Sequence, residues 1–269
     1  MFNLGLKCAY EPAQLYNRIK YQPDLIEIQL FEQDLFGANR TELENTITML
    51  KCLNIEVYLH HPIKFQGEKL DIIHNDPTMY HFYHLTTRIL SEICNHYHIK
   101  CVIHPHYSGT PSSTIAEDTK KEMIKEISEI LDYSENVFVW ENTIEGLFSS
   151  QNYNWFKDIV QPLNLPIVYD ISHAFISFRG DNDLLMKELN QMSDYIKYFH
   201  VVDSLGQQHD SLSLGKGKVN WERVLPYIKG KPYIYEIGLK DFTDGTEMVE
   251  SHNYLVALEK RLSKENALL

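Results

Sequence analysis

The chain lacks a cysteine framework. Its four cysteines, Cys8, Cys52, Cys94 and Cys101, form neither a CxxC pair nor a ladder of short spacings, which sets aside a disulfide scaffold and a thiolate zinc site and leaves buried, reduced thiols. It also lacks any apolar window near the roughly 18 residues of a membrane span, and it enters a strand-like FNLGLK without a basic leader, so a cytoplasmic location is expected. Runs of lysine or arginine are missing too. With 25 Lys and Arg against 37 Asp and Glu the formal net charge is −12, which repels phosphate backbones and argues against a dedicated nucleic-acid binder. No Pro/Gly/Ser linker, low-complexity tract or visible repeat divides the chain. Residues 1–269 therefore read as one domain, with 43% hydrophobic content to build a sizeable core.

What the chain does have is a recurrence. Strand-like runs end again and again in a side chain that binds metals or moves protons: YLHHP at 58–62, VIHPH at 102–106, VWENT at 139–143, VYDISH at 168–173, FHVVD at 199–203 and YIYE at 233–236. Strand-like runs fall near 2–7, 24–30, 55–61, 100–105, 136–142, 166–171, 196–202 and 231–237, each followed by a stretch of helical character. Helix is read from the Leu43, Ile47, Leu50 face opened by Thr41 and Glu44 as a capping box, and from the apolar face of 117–133. Eight such βα units in 269 residues match the roughly 250 residues typical of a (β/α)8 TIM barrel, class α/β, better than a doubly wound sheet. The segment 62–75 reads as a βα loop on the active face.

In such a barrel all strands open their carboxyl ends on one face, so His60 or His61, His104, Glu141, Asp170, His200 and Glu236 ring one cavity. Imidazole and carboxylate donors without thiolates suit a divalent first-row ion, Mn, Zn or Co in preference to Mg. Adjacent strand residues point to opposite faces, so only one of His60 and His61 can enter the mouth. Asp170 and His173 differ in parity and meet at one site only if the chain turns into a helix right after Asp170. Glu27, in the strand LIEIQL, needs a buried partner, and Lys7 on the neighbouring strand supplies it; Glu27 is read as structural.

These pieces, in their order, carry a resemblance. Glu141-Asn142-Thr143, Asp170 through Ala174, His200 through Ser204, Gly215-Lys216-Gly217 with Trp221, and Glu236 resemble the xylose isomerase-like TIM-barrel superfamily, which holds sugar epimerases and isomerases, inositol-pathway dehydratases and endonuclease IV. The epimerase and isomerase branch implies that Glu141, Asp170, His200 and Glu236 bind one divalent metal. It implies further that Glu141 and Glu236 trade protons on opposite faces of a substrate carbon through a metal-stabilised enediolate, with His173 polarising a substrate oxygen. The substrate would be a sugar, a sugar phosphate or a related keto-polyol. A keto-polyol dehydratase would use the same site.

The endonuclease IV branch, a metal-dependent phosphodiesterase acting on abasic DNA, resembles the chain at His60-His61-Pro62 and His104-Pro105 as well. That resemblance picks His60 over His61 and makes His60, His104, His173 and His209 candidates for a second metal or for substrate. Ser211 stands where that branch has a histidine ligand, which speaks against a third ion. Lys216 and Lys218 of the GKGK loop, with Arg179 of FRGD, suggest an anionic substrate, and Trp140 is a candidate to pack against a sugar, alongside Phe31, Tyr107 and Phe175. A small-molecule enzyme is expected, without nucleic acid or membrane partners. A non-catalytic metabolite-binding barrel is the weakest reading, since a ring of ionisable groups is costly unless it holds metal or moves protons. Whether the barrel pairs with a second copy as a homo-oligomer is left open.

Overall fold

A computed structural model describes residues 3–106 and 115–266. Strands β1 (Gly5–Ala9), β2 (Leu25–Gln29) and β3 (Glu56–His60) alternate with helices α1 (Pro12–Ile19) and α2 (Gly37–Cys52). A short hairpin of β4 (Lys64–Phe65) and β5 (Glu68–Lys69) follows, then α3 (Pro77–Tyr97), β6 (Lys100–Ile103), α4 (Glu117–Ser134) and β7 (Phe138–Glu141). A π-helical turn at Phe156–Val160 leads through α5 (Gln161–Leu163) to β8 (Ile167–Asp170), α6 (Ile171–Ser177) and α7 (Asn182–Met192). The chain ends with β9 (Ile196–Val201), α8 (Trp221–Ile228), β10 (Tyr233–Tyr235) and α9 (Thr246–Asn266). The strands close in the order β1-β10-β9-β8-β7-β6-β3-β2, and every pair within the barrel is parallel. The expected eight-stranded barrel is what the chain forms. No helix among the described residues is long and apolar enough to cross a membrane.

Two local expectations change. Helix α2 starts at Gly37, so Thr41 lies inside it; Glu44 pairs with Arg40 one turn back at 2.9 Å instead of closing a capping box. The segment read as a loop after β3 carries the β4–β5 hairpin, held by Phe65 stacked on Phe82 of α3 with centroids 3.9 Å apart. Tyr107 and Phe2, the first residue of the expected opening strand, lie outside the described residues.

The barrel has two apolar layers that follow from strand parity. Outward residues such as Ile26, Leu59, Ile103, Trp140, Ile167 and Phe199 join the helices in the large core. Inward residues Leu25, Tyr58, Val102, Val139, Val168, Tyr198 and Ile234 form a separate plug inside the barrel. Two residues further along each of these seven strands, on the same inward face, stands an ionisable side chain: Glu27, His60, His104, Glu141, Asp170, His200 and Glu236. The eighth strand obeys the rule with Gly5 and Lys7, and Gly5 is glycine because a Cβ there would lie 1.8 Å from the carbonyl oxygen of Tyr233. One apolar layer thus carries one polar layer, at the carboxyl end of the barrel.

Candidate active site at the barrel mouth

Above this polar layer opens a cavity of about 640 Å³. Lys7, His60, His104, Glu141 and Glu236 form its floor; His173, Arg179 and His209 are among the residues of its walls. His60 is the strand-end histidine that enters it. His61 points away, its Nε2 2.8 Å from Thr86 Oγ1 on α3, and burial pushes its pKa down to about 3, so it is neutral. The chain leaves β8 directly into α6 with Asp170 as N-cap: Asp170 Oδ1 accepts from the His173 backbone N–H at 2.7 Å, and the turn brings Asp170 and His173 to one site despite their parity. A one-residue irregularity between β8 and β9 at Ile167 and Val168 sets Asp170 level with His200. Asn142 ties β7 to β8, accepting from Asp170 N at 2.7 Å and donating to Asp170 O at 3.1 Å.

Two sets of donor atoms converge closely enough to hold an ion. Glu141, Asp170, His200 and Glu236 each place one ligand atom within 4.8 Å of the others, and His60, His104 and Glu141 do the same. The first set is the one expected for a single metal, and Glu141 belongs to both.

Hydrogen-bond logic shows that these donors suit a cation. Glu27 Oε2 lies 2.9 Å from His200 Nε2 and accepts its proton, which turns His200 Nδ1 toward Glu141 Oε1 at 3.1 Å and Glu236 Oε2 at 2.6 Å, the latter off the hydrogen-bonding direction. His60 donates from Nδ1 to the His61 carbonyl at 2.9 Å, which directs its Nε2 at Glu141 Oε2, 3.2 Å away. A proton on the imidazole, or a cation in its place, satisfies the carboxylates at these distances. Asp170 Oδ2, fully buried, has no hydrogen-bond partner among the described residues. Four carboxylates, from Glu27, Glu141, Asp170 and Glu236, share the layer with one lysine, Lys7. An oxygen- and nitrogen-ligated divalent ion fits this set.

The titration behaviour follows. Burial opposes ionisation of Glu141, yet His104 and His200 hold its carboxyl well below the usual range; for Glu236 the same role falls to Lys7 and His200. Burial disfavours the His200 imidazolium, but Glu141, Glu27 and Glu236 hold its pKa well above the ordinary value. His104 goes the other way: burial, helped by the neighbouring His60 and His173, takes it down to about 4, against the pull of Glu141 2.9 Å away. His173, anchored by Nδ1 on the Asn142 carbonyl at 2.8 Å, is held up by Asp170 and Glu141 against its burial.

Lys7 was read as a partner for Glu27 only, at 3.2 Å, but its Nζ also sits 2.6 Å from Glu236 Oε1 and lines the cavity floor. Glu27 in turn orients His200. Both were legible in principle, since they share the inward parity of the ring, but they sit in mid-strand sequence contexts that carry no strand-end signal. Gln29, Lys69, Gln151, Gln207 and Gln208 also line the cavity, and nothing in their local sequence marks them.

Other expected contacts are not brought together. Trp140 alternates with Glu141 and so faces the helices, fully buried beside Phe138 and away from the cavity lining. Phe175 is likewise core, Phe31 is exposed outside the lining, and no described Phe, Tyr or Trp lines the cavity. Lys216 and Lys218 are exposed and outside the lining. Their loop is folded around Asp203 instead: Asp203 accepts from Gly215 N at 2.9 Å, Val219 N at 3.2 Å, Ser204 N at 2.9 Å and Trp221 Nε1 at 3.0 Å. A Cβ on Gly217 would lie 2.2 Å from Asp203 Oδ1, so the GxG spacing serves this internal carboxylate, and the backbone amides of Gly215, Lys216 and Lys218 that would greet a phosphate already donate to Asp203, the Ser213 carbonyl and the Ser204 carbonyl.

The fold and its site define a class: a closed (β/α)8 barrel with a carboxylate and imidazole ring at its carboxyl mouth. A family model described as xylose isomerase-like TIM barrel matches residues 24–258, and the chain belongs to that family. An uncharacterized protein of Methanocaldococcus jannaschii is 30% identical over 124 residues, spanning 45% of this chain and 46% of that protein, so the chain spans about half the length of that curated relative. Among solved structures, a D-tagatose 3-epimerase-like protein superposes with a TM-score of 0.71 at 18% identity, covering 98% of this chain and 99% of that one. D-psicose 3-epimerase with D-tagatose from Clostridium cellulolyticum H10 gives 0.61 at 13% identity, covering 92% and 89%. At these identities the likeness shows the fold.

Proposed function

We propose that the protein is a divalent-metal-dependent isomerase or epimerase of a sugar, sugar phosphate or related keto-polyol. The observation that carries this reading is the convergence of Glu141, Asp170, His200 and Glu236, with ligand atoms within 4.8 Å, where Glu141 and Glu236 line the floor of a cavity of about 640 Å³ and Asp170 and His200 lie buried beside them. That the similar structures include proteins named as ketose epimerases supports a ketose-like substrate. Glu141, Asp170, His200 and Glu236 would hold the ion, which supplies Lewis-acid stabilisation of an enediolate.

The side chains provide the proton chemistry. Glu141 and Glu236 approach His200 Nδ1 from different strands, β7 and the end of β10, and so flank the space above it. Glu236 is the more open, its side chain 29% exposed against 1% for Glu141, and faces the cavity. One glutamate removes the proton from the carbon beside the carbonyl and the other returns a proton, each worth on the order of 100- to 10,000-fold in rate. Lys7 on Glu236 Oε1 keeps that carboxylate ionised and fixes its second oxygen toward the site. His173, held by Asn142, is placed to donate to a substrate oxygen. Transfer of hydrogen from a ketose into deuterated water tests the reading directly. Glu141→Gln and Glu236→Gln are each expected to abolish exchange, and full exchange in either variant removes the two-glutamate mechanism. A keto-polyol dehydratase shares the exchange step and is told apart by loss of water from the product.

The second cluster of His60, His104 and Glu141 favours one other reading, a two-ion phosphodiesterase acting on abasic DNA. Against it stands the net charge of −12 with no basic stripe. Nicking of an abasic duplex by the metal-loaded protein would establish it over the isomerase.

A further inference from the structure

Of the six arginines, five are engaged: Arg18 with Asn17 and the Phe242 carbonyl, Arg40 with Glu44, Arg88 over the Tyr133 ring, Arg223 with Asp183 and Arg261 with Glu222. Arg179 makes no ion pair or side-chain hydrogen bond among the described residues, and it lines the cavity. Its backbone is also unusual. Arg179 follows the C-cap of α6 with φ of 54°, a left-handed position that glycine fills at least cost, and Gly180 next to it has φ of 82°. A non-glycine residue there costs on the order of 1 kcal/mol, which makes it worth asking what the side chain contributes.

The turn is rigidly mounted. A Cβ on Gly206 would lie 2.4 Å from Gly180 Cα, so the Arg179–Gly180 turn and the turn at Gly206 pack backbone to backbone. That second turn leads directly into Gln207, Gln208 and His209, which line the same cavity wall. The ring of His209 lies 5.0 Å from that of His173, so the wall is continuous with the ionisable floor. Arg179, two amides and an imidazole are therefore presented on two interlocked turns in the lining of the same cavity as Lys7 and Glu236.

We propose that Arg179 is an anion-recognising residue and that the substrate is an acidic sugar, carrying a phosphate or a carboxylate on the end remote from the reacting carbons. This rests on the isomerase reading above for the identity of the rest of the molecule. A planar guanidinium with five donors pairs with either anion in two-point fashion, and the glutamine amides and His209 complete the oxygen shell.

The test measures binding without turnover. Calorimetry on the metal-loaded protein compares D-fructose, D-fructose 6-phosphate and D-fructuronate, for the wild type and for Arg179→Gly, Arg179→Lys and Lys216→Ala. The wild type is expected to bind at least one anionic probe about ten-fold or more tightly than the neutral sugar. The phosphate and carboxylate arms identify which anion is preferred. Arg179→Gly is expected to erase that margin while melting at the same temperature or higher, because glycine relieves the left-handed backbone; Arg179→Lys retains part of it and Lys216→Ala all of it. A wild type with no anion margin, including one that binds none of the probes, overturns the proposal, as does a margin that survives Arg179→Gly or is lost in Lys216→Ala. Exchange of D-fructose hydrogen with deuterated water by the wild type is read in parallel. The same exchange is read with D-fructose 6-phosphate and D-fructuronate, and its absence with all three probes counts against the isomerase reading alone, since the anion margin does not depend on catalysis.

Discussion

Replacing Glu27 by glutamine removes one charge from the polar layer and changes almost nothing in volume. In the wild type Glu27 holds the proton of His200 Nε2 at 2.9 Å and also meets Lys7 Nζ at 3.2 Å. It does not belong to either set of candidate ligand atoms. Its effect on metal binding must therefore travel through His200, by fixing which nitrogen carries the proton and by raising the basicity of the other. Loss of such a supporting carboxylate typically costs about 10- to 100-fold in metal affinity, or about 1.4 to 2.7 kcal/mol. Glutamine still offers a carbonyl to His200, so the ring keeps its orientation and the loss falls mainly on charge. Its amide group then faces the Lys7 ammonium, which favours rotation of Lys7 wholly onto Glu236. The assay is competition with a chromogenic chelator, measuring the Kd for Zn and Mn on wild type and Glu27→Gln, with circular dichroism to confirm the fold. A Kd within two-fold of the wild type would refute the argument, since the carboxylate would then be only a buried partner for Lys7.

Other outcomes follow from the same structure. A divalent ion at one hundred times its Kd is expected to stabilise the protein by about 2.7 kcal/mol, or roughly 5 to 10 °C in melting temperature for a chain of this size, and Asp170→Asn should largely erase the shift seen by calorimetry. Gly206→Ala should lose about 2 kcal/mol or more, because its Cβ would meet Gly180 Cα at 2.4 Å and its φ is 81°; a wild-type urea midpoint would show that the two turns are not interlocked. Glu188 accepts from Trp155 Nε1 at 2.8 Å, Tyr169 Oη at 2.7 Å and Ser150 Oγ at 2.6 Å, so Glu188→Ala is expected to cost about 3 kcal/mol or more by stranding these donors, and Glu188→Gln much less. Equal stability of the two variants in urea would contradict this.

The barrel was legible because its strands are short apolar runs and its helices carry an apolar stripe, and the ring was legible because strand ends project in one direction. Trp140 misled for the same reason that Glu141 did not: neighbouring residues on a strand face opposite ways, and proximity to a ligand in sequence is not proximity in space. Lys216 misled because a GxG motif reads as an anion loop, whereas here the Gly215 amide donates to Asp203, a partner more than ten residues earlier, and the Lys216 and Lys218 amides to the Ser213 and Ser204 carbonyls. Glu27 was recognised as needing a partner, and Lys7 as the source, but the second contact of Glu27 reaches across to His200 of β9 and that of Lys7 goes to Glu236 at the end of β10, the strand that closes the barrel against β1. Only ring closure creates those pairs. Arg179 was found by its sequence, and its isolation and backbone by the structure alone.

Glu141 serves both candidate clusters, with Oε2 toward His60 and His104 and Oε1 toward His200. A single carboxylate so divided makes the two halves of the mouth thermodynamically linked: whatever positive charge settles on one oxygen drains electron density from the other, and by reciprocity the influence is equal in both directions. Titrations of the two halves are therefore not independent experiments. A metal isotherm, a histidine NMR shift at His104 and the protonation of His200 are three views of one coupled equilibrium.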